Sequence, residues 1–347
     1  METTAAVLTQ INRPLILEKL NVPPLKHGQV LVNVAYSGIC HSQLNEIHGL
    51  KGEDKFLPHT LGHEGSGVVE AIGEGVTKVK PKDRVVLTWI KGNGLDIPSA
   101  AYKALDGRLI NSGAISTFLT KAVVSENRLV KIPNELALDQ AALLGCAIPT
   151  GAGIVINTAQ VKKGSSVVIF GMGGIGLSAL LAACLNEAEI IIAVDISDER
   201  LTLARSFGAT HTIHAQKEDV LAALGLILPR GADFSFECAG KKESMEFAFK
   251  SVKDKGGLCV IAGNLSEGQK IHIDPFDFIK GKRIIGSWGG ETQPDRDIPK
   301  FAKFAIAGKL NLGKLICRVY ELEDINEALR FMEHTAAGRV LVRMNEI

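Results

Sequence analysis

Apolar and polar positions change their rhythm near residue 164, and the change divides the chain. Before it, apolar residues alternate over short stretches. Residues 29–36 (QVLVNVAY) read as a half-buried strand, and 67–72 and 84–89 as two more, between glycine and proline turns. Small strands closed by turns predict a compact antiparallel or barrel-like unit. Residues 139–144 begin a helix that Pro149 is expected to interrupt. After residue 164, continuous apolar runs of strand length alternate with helical stretches. Strands are predicted at 167–170, 190–194, 210–214, 232–237, 257–262 and 283–287, and helices at 177–185, 199–207, 219–228 and 242–252. Six strands with helices between them predict an α/β unit built on a doubly wound parallel sheet. Residues 299–309 and 325–334 read as helices, and 339–344 alternates again. That last stretch is expected to return to the first unit as a strand. The expected division is therefore 1–147 with 289–347, and 148–288 inserted between them.

The opening of the inserted unit carries the first candidate chemistry. Residues 165–195 read SSVVIFGMGGIGLSALLAACLNEAEIIIAVD: strand, glycine turn, helix, strand, acid. In such an order Gly171 permits a tight turn, Gly173 lets a pyrophosphate approach the backbone, and Gly176 lets the helix pack close to the strand. The N–H groups opening the helix, at Gly174, Ile175 and Gly176, then face the phosphates. Asp195 falls where a carboxylate accepts from the adenosine ribose hydroxyls. A dinucleotide is the ligand this arrangement predicts. The alternatives are another nucleoside, such as a methyl donor, or a purely structural glycine turn.

Composition narrows the rest. The 347 residues suggest two domains, and 46% hydrophobic content is enough for two cores. Lys plus Arg is 39 against 38 for Asp plus Glu, so the net charge is +1 and no polyanion partner is indicated. A nucleic-acid partner is not expected, nor is a membrane, because no uninterrupted apolar run reaches spanning length. The first ten residues lack the basic and apolar regions of a signal peptide. Six cysteines at 40, 146, 184, 238, 259 and 317 form no CxxC pair, so a reducing cytoplasm is expected.

Three glycine-bordered stretches in the first half carry soft or imidazole ligands: Gly38-Ile39-Cys40-His41-Ser42, Gly62-His63-Glu64 and Gly145-Cys146-Ala147. Each has a plainer reading, since a free cysteine is usually a small core hydrophobe and a lone histidine a hydrogen-bonded group.

Taken together, these stretches resemble the zinc-dependent alcohol dehydrogenases of the medium-chain dehydrogenase/reductase superfamily. The resemblance covers essentially the whole chain. GICHSQL is similar to that family's Gly-x-Cys-His-Thr/Ser-Asp-Leu segment, and LGHEGSGVVEAIGEGV (61–76) to its Gly-His-Glu signature. GCAIPTGAG (145–153) resembles the segment supplying a further ligand, and GMGGIGLSA with AVDI the cofactor fingerprint. Residues 297–314 and Gly338-Arg339-Val340 resemble the C-terminal part. The resemblance implies a Rossmann sheet inserted in a β-rich GroES-like catalytic domain, and interconversion of an alcohol with its aldehyde or ketone using NAD. It implies one catalytic Zn²⁺ per chain on Cys40, His63 and Cys146. This two-thiolate, one-imidazole set is the one alcohol dehydrogenases use, so the resemblance carries it and the spacing does not. It further implies Glu64, beside His63, as an outer or transient ligand of the metal, and Ser42 as the hydroxyl that meets the substrate oxygen. His41 and Arg339 would face the cofactor pyrophosphate, Asp195 and Arg200 the adenosine ribose, and Ile47 and Trp89 the substrate. A homodimer or homotetramer is expected, through the apolar edge at 283–287.

Three departures stand out. Residues 90–113, where the family commonly carries a four-cysteine structural zinc, contain no cysteine and no histidine. That stretch is expected to be held by Leu95, Ile97, Tyr102 and Leu105 instead. Gln43 replaces an aspartate, weakening the expected support behind His63. Asn45 replaces a relay histidine, leaving water or His48 to carry the proton. The alternative functions are a zinc enzyme acting on a polyol, a secondary alcohol or a formaldehyde–thiol adduct; a zinc-free quinone or enoyl reductase; and a non-catalytic NAD-binding protein.

Overall fold

The alternating stretches of the first half form two sheets in one unit. The structure, a computed structural model, describes residues 1–98, 100–334 and 337–347. One unit comprises Met1–Cys146 with Gln293–Ile347, and the other Ala147–Thr292. In the first, Glu2–Leu8, Ile16–Asn21, Ala101–Ala104, Leu109–Ser112 and His59–Thr60 close a small barrel. Beside it a seven-stranded sheet runs Leu129–Lys131, Arg84–Thr88, Glu64–Ile72, Gln29–Gly38, Arg339–Arg343, Ile316–Glu321, with Lys121–Ser125 also paired to Gln29–Gly38. The C-terminal strand returns as the alternation predicts. It lies antiparallel to Gln29–Gly38, with Leu341 opposite Gly38. Val30, Val32, Val34, Leu87, Phe118 and Leu119 fill the core between the layers, each such side chain contributing about 1.5–3 kcal/mol on burial.

The second unit is a six-stranded parallel sheet in the order His211–His214, Ile190–Asp195, Ser166–Phe170, Phe234–Glu237, Leu258–Ile261, Arg283–Gly286. The order reverses direction between Ser166–Phe170 and Phe234–Glu237, and a doubly wound sheet opens its ligand crevice at such a point. Val168, Phe170, Ile192, Val194 and Phe249 are buried against one another. Among the described residues, no single helix is long and apolar enough to cross a membrane.

Four details differ from the sequence reading. Pro149 does not interrupt a helix. The break comes at Cys146, whose φ is −149°, and Pro149 is the third residue of Ala147–Gly153, in the first turn, where its missing N–H costs nothing. Pro299 likewise sits within a helix that starts at Pro294. The second unit extends to Thr292 rather than 288, because Gly153 packs on Gly290 so closely that a Cβ there would stand 2.4 Å from the Gly290 carbonyl oxygen. Within the stretch 90–113, residues 101–112 form a barrel hairpin. Tyr102 is buried within it and its hydroxyl accepts from the Val123 N–H at 2.8 Å. Leu105, by contrast, sits at the exposed tip and holds nothing.

Candidate metal centre and dinucleotide turn

The metal-ligand candidates come from three separate chain segments, each admitted by a glycine. Cys40 follows the strand Gln29–Gly38 and precedes the helix His41–Ile47. A Cβ on Gly38 would stand 2.2 Å from Glu64 Oε1. His63 follows Gly62, whose φ of +90° favours glycine and whose Cβ position lies 2.4 Å from Thr117 Oγ1. Cys146 follows Gly145, where a Cβ would stand 2.4 Å from the Leu87 carbonyl oxygen. The Gly145 carbonyl is pinned by the Thr88 hydroxyl at 2.7 Å. The result brings the ligand atoms of Cys40, His63 and Cys146 within 4.8 Å of one another. Two soft sulfurs and one imidazole are the donor set of a catalytic zinc site, and the residues fit that ion.

The surroundings favour thiolate. The Cys146 thiol beside Cys40 draws the Cys40 thiol well below its usual range, against burial, and His63 and Arg339 pull the same way. Glu64 and Arg339 are both almost fully buried and ion-paired with each other. Burial lowers the Arg339 guanidinium's proton affinity, while Cys40 opposes that shift. The buried Arg339 thus compensates the charge of Glu64 and Cys40.

Gln43 is an unanticipated part of the site. Sequence comparison marks it as a loss of support, yet it is buried. Its Oε1 accepts from the Cys40 N–H at 2.9 Å, and its Nε2 lies 2.5 Å from His63 Nδ1. It ties two of the three ligands together. An amide has one accepting oxygen, however, and here that oxygen serves Cys40.

The remaining candidates on this unit divide. Ser42 is half-buried and His41 exposed, both in the first turn of His41–Ile47. Ile47 belongs to the hydrophobic core, and the partly buried Trp89 packs against it. His48 turns away from Ser42's neighbourhood, its ring nitrogens 3.4 Å from Asn12 Oδ1 and 3.1 Å from Glu333 Oε1. Lys51, which the sequence did not single out, donates to Ser42 Oγ at 2.9 Å. No spacing rule links positions 42 and 51, since the loop between them sets the contact. Among the described residues one other group has ligand-like spacing, Glu46 with Asp54 and His59, but Lys51 already ion-pairs with Glu46.

In the second unit the glycine turn has the shape its sequence predicts. Gly171 has φ +88°, and a Cβ there would lie 2.8 Å from the Ala239 nitrogen. At Gly176 a Cβ would lie 1.8 Å from the Gly171 carbonyl oxygen, so no larger residue lets the helix Gly174–Leu185 approach. Gly173 differs: it caps that helix, and nothing stands within 4 Å of its Cβ position. The helix's N-cap, Gly173, has no side chain to cap the N–H groups of Gly174, Ile175 and Gly176, so the helix start presents donors to an anion. Asp195 is buried and engaged with backbone. Oδ2 accepts from the Met172 N–H at 2.6 Å, and Oδ1 from Ile196 and Ser197 at 2.8 and 3.0 Å. Arg200 Nη1 stands 3.9 Å from Oδ1.

Comparison with known proteins agrees with this geometry. Residues 26–134 match the alcohol dehydrogenase GroES-like domain, and 174–307 the zinc-binding dehydrogenase family. The S-(hydroxymethyl)glutathione dehydrogenase of Photobacterium damsela subsp. piscicida is 33% identical over 99% of this chain and 100% of its own length. The class-3 alcohol dehydrogenase of Myxine glutinosa is 32% identical over 98% and 97%. Among solved structures, benzyl alcohol dehydrogenase from Acinetobacter calcoaceticus superimposes with a TM-score of 0.90 at 31% identity, over 99% of this chain and 100% of that one.

Proposed function

The chain belongs to the zinc-dependent medium-chain dehydrogenases, which interconvert alcohols and carbonyl compounds with a nicotinamide cofactor, and from that premise we propose how its own residues divide the work. Cys40, His63 and Cys146 hold the zinc, one ion per chain. The observation that carries this assignment is the convergence of their ligand atoms within 4.8 Å. Zinc held there would supply Lewis acidity to an alcohol or carbonyl oxygen, and a bound NAD would supply the hydride chemistry. Ser42 donates a hydrogen bond to that oxygen and passes its proton. Glu64, charge-compensated by Arg339, sets the field behind the ligands. The N–H groups of Gly174, Ile175 and Gly176 would receive the cofactor pyrophosphate. Gly171, Gly173 and Gly176 shape that turn. Asp195 and Arg200 select the ribose: an acid beside a 2′-phosphate is repulsive, which favours NAD over NADP. Ile47 and Trp89 bound the substrate space.

The substrate is a small alcohol or its aldehyde. The relative named for S-(hydroxymethyl)glutathione supports a formaldehyde–thiol adduct as the second candidate. Six free cysteines suit a cytoplasmic location. The strand Arg283–Gly286 ends its sheet, and an unpaired edge supports association into a dimer or tetramer; sedimentation as a monomer at micromolar concentration would reject that. The functional test is an NAD-coupled screen of the zinc-loaded protein against ethanol, benzyl alcohol, a secondary alcohol, a polyol and S-(hydroxymethyl)glutathione. Turnover of one or more, absent in Cys40→Ser, is expected. No turnover of any alcohol by zinc-loaded protein contradicts the reading.

A further inference from the structure

Lys51 lies just beyond the helix His41–Ile47. Its ammonium donates to Ser42 Oγ at 2.9 Å and to Glu46 Oε2 at 2.9 Å. Glu46 Oε1 stands 3.9 Å from Nε2 of the buried His59, which pairs with Asp54 Oδ2 at 2.8 Å. The charged and titratable groups around the ammonium are therefore Glu46, Asp54 and, across Glu46, His59. An ammonium donates and never accepts. Ser42 Oγ thus accepts from Lys51, and the hydroxyl's own hydrogen is directed elsewhere, free to be donated. The Lys51 side chain is 45% exposed, so the path from a half-buried hydroxyl to solvent takes one step.

We propose that Lys51 is the proton source behind Ser42 in carbonyl reduction. The inference rests on the role given to Ser42 above. As the substrate oxygen gains its proton from Ser42, an O–H bond forms there and the Ser42 O–H bond breaks. Ser42 regains its proton as the Lys51 N–H bond breaks, leaving a neutral amine that solvent reprotonates. Oxidation runs the same transfers backwards and needs Lys51 as the amine. The arrangement therefore suits reduction while the amine carries its proton and oxidation once it has lost it. Lys51 takes the place the sequence left open between water and His48, whose ring is committed to Glu333 and Asn12.

The test measures kcat in both directions from pH 6 to 10.5 for the zinc-loaded parent, Lys51→Met and Lys51→Arg. It is joined to a nitrogen-15 NMR titration of the Lys51 Nζ signal. In the parent, reduction should fall and oxidation rise through one alkaline midpoint that coincides with the NMR midpoint. Lys51→Met should lose on the order of 10²-fold in reduction near neutrality, lose both pH limbs, and recover in part with added methylammonium. Lys51→Arg should keep KM but show no alkaline rise in oxidation, because a guanidinium holds its proton. A parent-like pH profile in Lys51→Met overturns the proposal, as does a pH-independent loss without amine rescue. Failure of the functional reading looks different: Ser42→Ala then turns over at the parent rate, or the parent does not turn over at all.

Discussion

The metal centre and the dinucleotide turn solve their binding problems in opposite ways. At the metal centre the working atoms are side chains, and the glycines at 38, 62 and 145 only clear space for them. At the turn the working atoms are backbone N–H groups, and side chains are absent because they would obstruct. One site depends on three donors spread over more than 100 residues of chain, while the glycine turn and its acid lie within residues 165–195. A dispersed side-chain site should therefore fail by loss of one atom. A local backbone site should fail by gain of one.

Loss of an atom is the larger effect. Cys40→Ser replaces a thiolate with a poor neutral ligand. Turnover should fall by about 10³-fold or more, while NAD affinity, measured by fluorescence titration, stays within about twofold. A variant that merely loses stability and retains turnover would mark Cys40 as a core cysteine. The reverse change, adding an acceptor, should strengthen the same site. In Gln43→Asp a carboxylate accepts from both the Cys40 N–H and His63 Nδ1–H, where the amide oxygen serves only Cys40. Zinc affinity by chelator competition should rise by about 10-fold or more; an unchanged affinity would mean that the amide already supports His63 fully.

Gain of an atom should separate two glycines. A methyl at Gly176 meets the Gly171 carbonyl oxygen at 1.8 Å, so Gly176→Ala should lose about 1–3 kcal/mol in urea unfolding along with NAD binding. A methyl at Gly173 meets nothing within 4 Å. Gly173→Ala should therefore leave stability within about 0.5 kcal/mol yet weaken NAD binding on the order of 10-fold, by standing where the pyrophosphate approaches. Equal NAD affinity in Gly173→Ala and the parent would remove the phosphate from that turn. The smallest expected effect is on cofactor choice. Asp195→Ser should shift the ratio of kcat/KM for NADP over NAD upward by about fivefold, with some loss of stability because Met172, Ile196 and Ser197 lose an acceptor.

The same contrast decides what was legible in the chain. The helix 325–334 and the strand that ends on Asp195, a continuous apolar run, follow from the apolar pattern alone, because packing there agrees with local preference. The glycine turn could be read from one segment, since its physics is local. The metal set could be named only through resemblance, because no spacing rule relates residues 40, 63 and 146. Prolines misled where they lie in a first helical turn, as Pro149 does. Leu105 misled because apolar character says nothing about a hairpin tip. Gln43 and Lys51 were undervalued or missed because each works through contacts that the fold, not the sequence neighbourhood, supplies.

Metal content tests the central claim most directly. Purified protein and its Cys40→Ser variant, both exhaustively exchanged against zinc-free buffer, are compared by elemental analysis. The account predicts about one zinc per chain in the parent and close to none in the variant, with both chains folded by circular dichroism. Two zinc ions per parent chain, or an undiminished one in the folded variant, would contradict it.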